Sequence, residues 1–197
     1  MAKGAQDEAF LHGNTVLFGS TDNNYIQEEK FLDALKAKMV DGIIYVSSNP
    51  ATSEKLLENI TVPVVFMDRK IKKRENMGSV LVDNFSAMKD VAAYIAGKGC
   101  RQPAYITADI SISPSKELGK KIPEDIKIMG FDDIYISKYL NPELTTVRQD
   151  AYEMGRQAAG MLIRYIDQGM PLTDRILPYE IMERGTPYNM KTFNQFT

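Results

Sequence analysis

Short apolar runs alternate with polar stretches of helical spacing along most of the chain. The runs are Thr15–Phe18, Gly42–Val46, Val62–Phe66, Ser79–Val82, Ala104–Ile106, Ile126–Phe131 and Ile176–Met182. Each is bounded by Gly, Asn, Asp or Pro, and most are continuous rather than alternating, the pattern of strands buried on both faces. The intervening stretches carry helix signals. Asn24 with Gln27 forms a capping box ahead of a face containing Ile26, Phe31, Leu32, Leu35 and Met39. Asn49-Pro50 puts a cap before a proline at the first helical position, where no N–H partner is needed. Asn84 caps a helix bearing Met88, Val91, Ala92 and Ile95 that stops at Gly97 or Gly99. Asp150 and Glu153 open a longer helix with Met154, Ala158, Met161, Leu162 and Tyr165, ended by Gly169-Met170-Pro171. Strand–helix alternation with short loops predicts an α/β doubly wound fold, a parallel sheet covered by helices.

Composition narrows the function. Against 26 Asp+Glu stand 24 Lys+Arg, a formal charge of −2, without the basic excess that coats phosphates, so DNA contact requires another segment. His12 is the one histidine, which removes a two-His metal site, and a His-based triad would have to draw on a polar N-terminal stretch. Cys100 has no partner for an internal disulfide and reads as an inert thiol. Neither a Walker A sequence nor G-x-G-x-x-G occurs. No catalytic residue, metal or cofactor is expected. With no run near the roughly eighteen apolar residues of a membrane span, and no apolar core at the N-terminus, the chain reads as cytoplasmic. Lys70–Arg74 is the basic run, a solvated loop or else a phosphate patch.

Several phrases, in this order, resemble the effector-binding core of the lactose-repressor/galactose-repressor family of transcriptional regulators. They are Val40-Asp41-Gly42-Ile43-Ile44, Pro63-Val64-Val65-Phe66-Met67-Asp68-Arg69, Val82-Asp83-Asn84, the run Ile122–Asp133, Leu144-Thr145-Thr146-Val147-Arg148-Gln149 and Met154-Gly155. The resemblance implies a periplasmic-binding-protein-like module of two doubly wound parallel-sheet subdomains joined by three crossovers. A small effector, a sugar or sugar phosphate, would bind in the cleft, the core would form a homodimer, and operator DNA would be met only through a separate head domain. The expected subdomains are 1–85 with 150–170 and 86–149 with 171–187, followed by a tail at 188–197. The alternative is a solute-binding protein for uptake, which shares the fold.

Ligands of parallel sheets sit beyond the carboxyl ends of the strands, so polar residues there are the candidates. Asp132 follows the Ile126–Phe131 run, where a carboxylate can accept hydrogen bonds from two neighbouring hydroxyls. The resemblance also implies a ligand contact there, and a turn cap is the alternative. Gln149 follows the Leu144–Arg148 crossover, where an amide can bridge both subdomains to the effector; the resemblance implies a ligand position there, with a hinge-stabilising amide as the other reading. Ser47 and Ser48, Asp68 and Arg69, and Asp83 follow other strands, where capping is the common role of such residues. Asp22-Asn23-Asn24 reads as a cap.

The chain departs from the family twice. Family cores begin with a strand and a helix before the strand matching Thr15–Phe18, whereas residues 4–13 match only the second half of that helix. Near residues 108–118 the chain passes almost at once to the approach of its late strand, although a parallel crossover needs a dozen or more residues. The module is therefore incomplete, either truly shortened or with stretches left out. Continuous apolar strands that need neighbours on both sides favour the second, which predicts a chain break near 108–118.

Overall fold

The computed structural model describes residues 1–47, 49–69, 75–99 and 128–186. Ser48, Lys70–Arg74, Cys100, the Ala104–Ile106 run, the expected break at 108–118 and the tail at 188–197 lie outside the described residues. The chain divides into two compact units, Met1–Val82 with Asp150–Leu177, and Asp83–Gln149 with the residues from Pro178 onward. It passes between them three times, after Val82, Gln149 and Leu177.

The first unit contains helix α1 (Ala2–Leu11), α2 (Tyr25–Ala37), β1 (Ile43–Val46), α3 (Pro50–Leu56), β2 (Val64–Met67) and β3 (Met77–Val82). The long helix α5 (Ala151–Gln168) and β6 (Asp174–Leu177) complete it. Its four strands are all parallel in the order β1-β2-β3-β6. Leu32 and Leu35 of α2 pack with Ile43, Tyr45, Leu57, Val64 and Phe66 in one core. Alternation sends Val65 to the opposite face of β2, the sheet against which α5 packs with Met154, Ala158, Met161 and Leu162 buried. The caps are those the sequence indicates: Asn24 accepts from the Ile26 and Gln27 amides, Asn49 from Ala51, and Asp150 from Glu153. Gly169 closes α5 in the left-handed conformation, φ 66°.

The second unit holds α4 (Asn84–Gly97), β4 (Gly130–Phe131), a 3-10 turn at Tyr135–Tyr139, β5 (Thr146–Gln149) and β7 (Tyr179–Met182). Its strands lie in the order β4-β5-β7, with β4 and β5 parallel and β7 antiparallel to β5. Ala87 and Val91 of α4 meet Val147 of β5 in its core, with Phe131 and Tyr179 packed alongside.

Four expectations change. Thr15–Phe18 forms no strand: it pairs with no described strand, and Leu17 and Phe18 stay about half exposed, because β-rich composition yields a strand only where a ladder partner exists. The Ile176–Met182 run is two strands in two sheets, divided at Pro178, which has no N–H to give a ladder. Since β6 pairs with β3, residues 171–177 belong to the first unit rather than with 178–187, and the first crossover falls at Val82 rather than 85. Helix α4 is capped by Asp83 rather than Asn84. In addition, the Leu144–Arg148 segment, expected as a crossover, contributes to β5, and the antiparallel β7 breaks the wholly parallel pattern.

Helix α1 lies unusually close to α5. A Cβ on Gly4 would sit 2.0 Å from the Tyr152 carbonyl oxygen, and one on Gly155 would sit 1.9 Å from that of Met1. Only glycine allows this backbone approach, since neither carbonyl can move without breaking its helix. Gly4→Val is expected to lower unfolding free energy by about 2 kcal/mol, as overpacking does, read by urea denaturation. Unchanged stability would show that the helices have room to part.

Candidate functional site

At the carboxyl ends of the parallel pair β4 and β5, the register Phe131↔Val147 leaves Asp132 and Asp133 beside Arg148 and Gln149. Both aspartates have left-handed backbones, φ 78° and 44°, a conformation Asp adopts more readily than most side chains. The turn aims the two carboxylates at different partners.

Asp133 is gripped by two arginines. Its carboxylate accepts from Arg148 Nε at 2.8 Å and pairs with Arg184 at 2.7 Å, while its amide donates to Thr146 Oγ1 at 3.3 Å. Burial alone would raise this carboxyl, but Arg184 and Arg148 outweigh it and hold Asp133 below the usual carboxylate range. Arg184 also donates to the Leu144 carbonyl at 2.7 Å, and its amide donates to Thr145 Oγ1 at 2.9 Å. The Thr145 amide donates to Thr186 Oγ1 at 2.8 Å, and the Thr145 hydroxyl donates to the Thr186 carbonyl. These bonds tie the β4 turn, β5 and the segment after β7 into one frame.

Asp132 is left with a different task. Its carboxylate accepts from Gln149 Nε2 and is otherwise exposed. A carboxylate can only accept, so the amide nitrogen must face it and the amide oxygen must face away. Gln149 is 6% exposed, and its Oε1 is buried without a hydrogen-bond partner among the described residues. Leaving such an acceptor unpaired costs about 1–3 kcal/mol. Among the described residues the two side chains therefore present free acceptor positions side by side, and adjacent hydroxyls are donors that suit them.

The remaining candidates separate. Asp83 caps α4, accepting from the Ser86 amide at 3.0 Å and hydroxyl at 2.7 Å, and these bonds hold its carboxyl below the ordinary value. Ser47 follows β1 and is 3% exposed, its hydroxyl 2.9 Å from that of Ser53. Asp68 follows the neighbouring β2 with φ 69°, its amide donating to Val80 O at 3.1 Å, and Arg69 beside it is exposed. Ser47, Asp68 and Arg69 thus share the carboxyl ends of adjacent strands in the first unit, whereas Asp132, Gln149 and Asp83 belong to the second. His12 closes α1, its Nδ1 donating to the Glu8 carbonyl at 2.9 Å. Among the described residues no group of three or more His, Cys, Asp or Glu could hold a metal ion, and no helix is long and apolar enough to cross a membrane.

Sequence reasoning missed Arg184, which carries no local signal because its partners Asp133, Leu144 and Thr145 lie far from it in the chain. It also missed Glu28, for which a signal existed: it lies four and seven residues before Leu32 and Leu35 on the buried face of α2.

Residues 1–119 match the family model for periplasmic binding proteins and the sugar-binding domain of the LacI family, and residues 111–186 match the periplasmic-binding-protein-like domain. The ribose operon repressor of Bacillus subtilis is 30% identical over 94% of this chain and 74% of its own length. The transcriptional regulator RegA of Clostridium acetobutylicum is 25% identical over 94% and 76%. Those alignments run over 248 and 255 positions, more than the 197 residues present, so the relatives carry segments without counterparts here. Among solved structures, a LacI-family regulator from Enterococcus faecium with bound ribose superposes with a TM-score of 0.75 at 18% identity, covering 93% of this chain and 91% of that one. A periplasmic binding protein/LacI regulator from Alkaliphilus metalliredigens, complexed with D-xylulofuranose, gives 0.78 at 21%, covering 95% and 93%. These likenesses establish the fold.

The Asp133 clamp makes a prediction. Its lowered carboxyl adds stability that is fully present above the ordinary carboxylate range near pH 4 and is lost as pH falls through the folded value. Asp133→Asn should cost about 3 kcal/mol at pH 7, as removing one partner of a buried ion pair does, and should flatten the acid limb of the stability curve. Denaturant melts from pH 7 to pH 3 check this. An unaltered acid limb would mean the clamp is not formed.

Proposed function

Because this chain belongs to the family of periplasmic binding proteins and LacI-type sugar-binding domains, we propose that it is the effector-binding and dimerisation core of a cytoplasmic transcriptional regulator. The observation that carries the reading is the Asp132–Gln149 pair, which offers a carboxylate and an unpaired buried amide oxygen to vicinal hydroxyls. Its effector is a sugar or sugar phosphate, and pentoses are the first class to test. The ribose operon repressor among its relatives and the ribose- and xylulofuranose-bound structures sharing its fold support that choice. Ser47, Asp68 and Arg69 are the effector candidates of the first unit, and Asp83 contributes through its cap.

Regulation is preferred to solute uptake because the relatives aligned over nearly the whole chain are transcriptional regulators. The chain works as a homodimer without catalysis, and operator DNA is met through a head domain outside this sequence. An effector that binds one conformational state more tightly than another shifts the population toward it, and only that difference in affinity can signal. Occupancy alone regulates nothing.

Thermal shift with D-ribose, D-xylulose and their phosphates tests the reading. At least one should raise the melting temperature. In Asp132→Ala its affinity should drop about 10- to 100-fold, the worth of a charge-assisted hydrogen bond. No shift with any of the panel, or an equal shift in the variant, would sink it.

A further inference from the structure

The first unit buries a chain of four polar side chains, of which the effector reading uses only Ser47. Glu28 of α2, Tyr45 of β1, Ser53 of α3 and Ser47 beyond β1 are each less than a tenth exposed. The Tyr45 hydroxyl donates to Glu28 Oε1 and lies 3.1 Å from Ser53 Oγ, and Ser53 Oγ lies 2.9 Å from Ser47 Oγ. A buried carboxyl with hydroxyl partners alone is costly to ionise. Tyr45 is the titratable group that faces it; the charged side chains on α2 and α3, Glu29, Lys30, Asp33, Lys36, Glu54 and Lys55, are exposed. Burial raises the Glu28 carboxyl.

Counting protons shows what such a chain can do. Each of the three hydroxyls carries one proton. When Glu28 is ionised it only accepts, so Tyr45 donates to it, Ser53 turns its proton to the Tyr45 oxygen, and the Ser53 oxygen takes the Ser47 proton. When Glu28 takes a proton from solvent, its own O–H donates to the Tyr45 oxygen, and the Tyr45 proton turns to Ser53. Ser53 is then free to turn its proton to Ser47, and Ser47 becomes the acceptor with its own proton released.

We infer that Glu28, Tyr45, Ser53 and Ser47 form a protonation-driven hydroxyl relay, in which the proton on Glu28 sets whether Ser47 offers a donor or only an acceptor at the carboxyl end of β1. The geometry runs unbroken from the α2 core to the strand end, where Ser47 neighbours Asp68 on the adjacent strand. The consequence for ligand choice rests on the effector reading of those strand ends: the donor state favours anionic groups such as phosphate, the acceptor state favours hydroxyls. The relay itself does not rest on that reading.

Carbon-13 NMR of the whole chain, labelled at Glu Cδ and Ser Cβ and titrated without ligand, tests it. Glu28 Cδ and Ser47 Cβ should move with one shared midpoint above the ordinary carboxylate range. Ser53→Ala should leave the Glu28 transition and abolish that of Ser47, and Glu28→Gln should leave Ser47 flat. A flat Ser47 in the wild-type chain while Glu28 titrates, or a Ser47 transition that survives Ser53→Ala, overturns the relay. The wild-type pair of resonances decides the matter even if a variant fails to fold. Since no sugar enters the measurement, failure of the relay and failure of the sugar reading are told apart.

Discussion

The double ion pair on Asp133 is the constraint on which the candidate site depends. A buried carboxylate is tolerable only when opposite charges and hydrogen bonds replace its water, and here Arg148 and Arg184 do so from β5 and from the segment after β7. That requirement fixes the β4 turn against its neighbours. Two successive left-handed residues then send the adjacent carboxylate, that of Asp132, to Gln149 rather than into the clamp. One aspartate is held in the frame, and the other is left outside it, beside Gln149.

On the proposed reading, the chemistry of recognition follows from what each group can accept. Asp132 and Gln149 leave acceptors exposed or, among the described residues, unpaired, so a ligand with donors suits that reading and an apolar one does not. A ligand lacking a matching hydroxyl would leave the Gln149 oxygen buried and unsatisfied, the situation in which polar sites discriminate most strongly. The Ser47 end of the first unit works under a different rule. Its hydroxyl is committed inward, and what it offers outward is set by the protonation of Glu28, two elements away.

Much of this was legible in the sequence, where the physics is local. The caps at Asn24, Asn49 and Asp150 and the αL glycine at Gly169 depend on a few neighbouring residues, and each appears as expected. Asp132 is legible from its position after a strand and Gln149 from its position after a crossover, each together with a family resemblance, and the structure brings them into contact. The failures are non-local. Thr15–Phe18 has the composition of a strand, but a ladder needs a partner that composition cannot supply. Arg184 reaches Leu144 across the sheet and Glu28 reaches Tyr45 across the core, pairings that spacing does not encode. The division of Ile176–Met182 was within reach, because Pro178 cannot serve a continuous ladder.

The central claim is that Asp132 and Gln149 act on the effector as one unit. A double-mutant cycle measured by titration calorimetry with D-ribose, using Asp132→Asn and Gln149→Leu singly and together, tests it most directly. The account predicts a coupling of about 1 kcal/mol or more, since each side chain orients the other. Strictly additive losses, or no loss in either single variant, would contradict it.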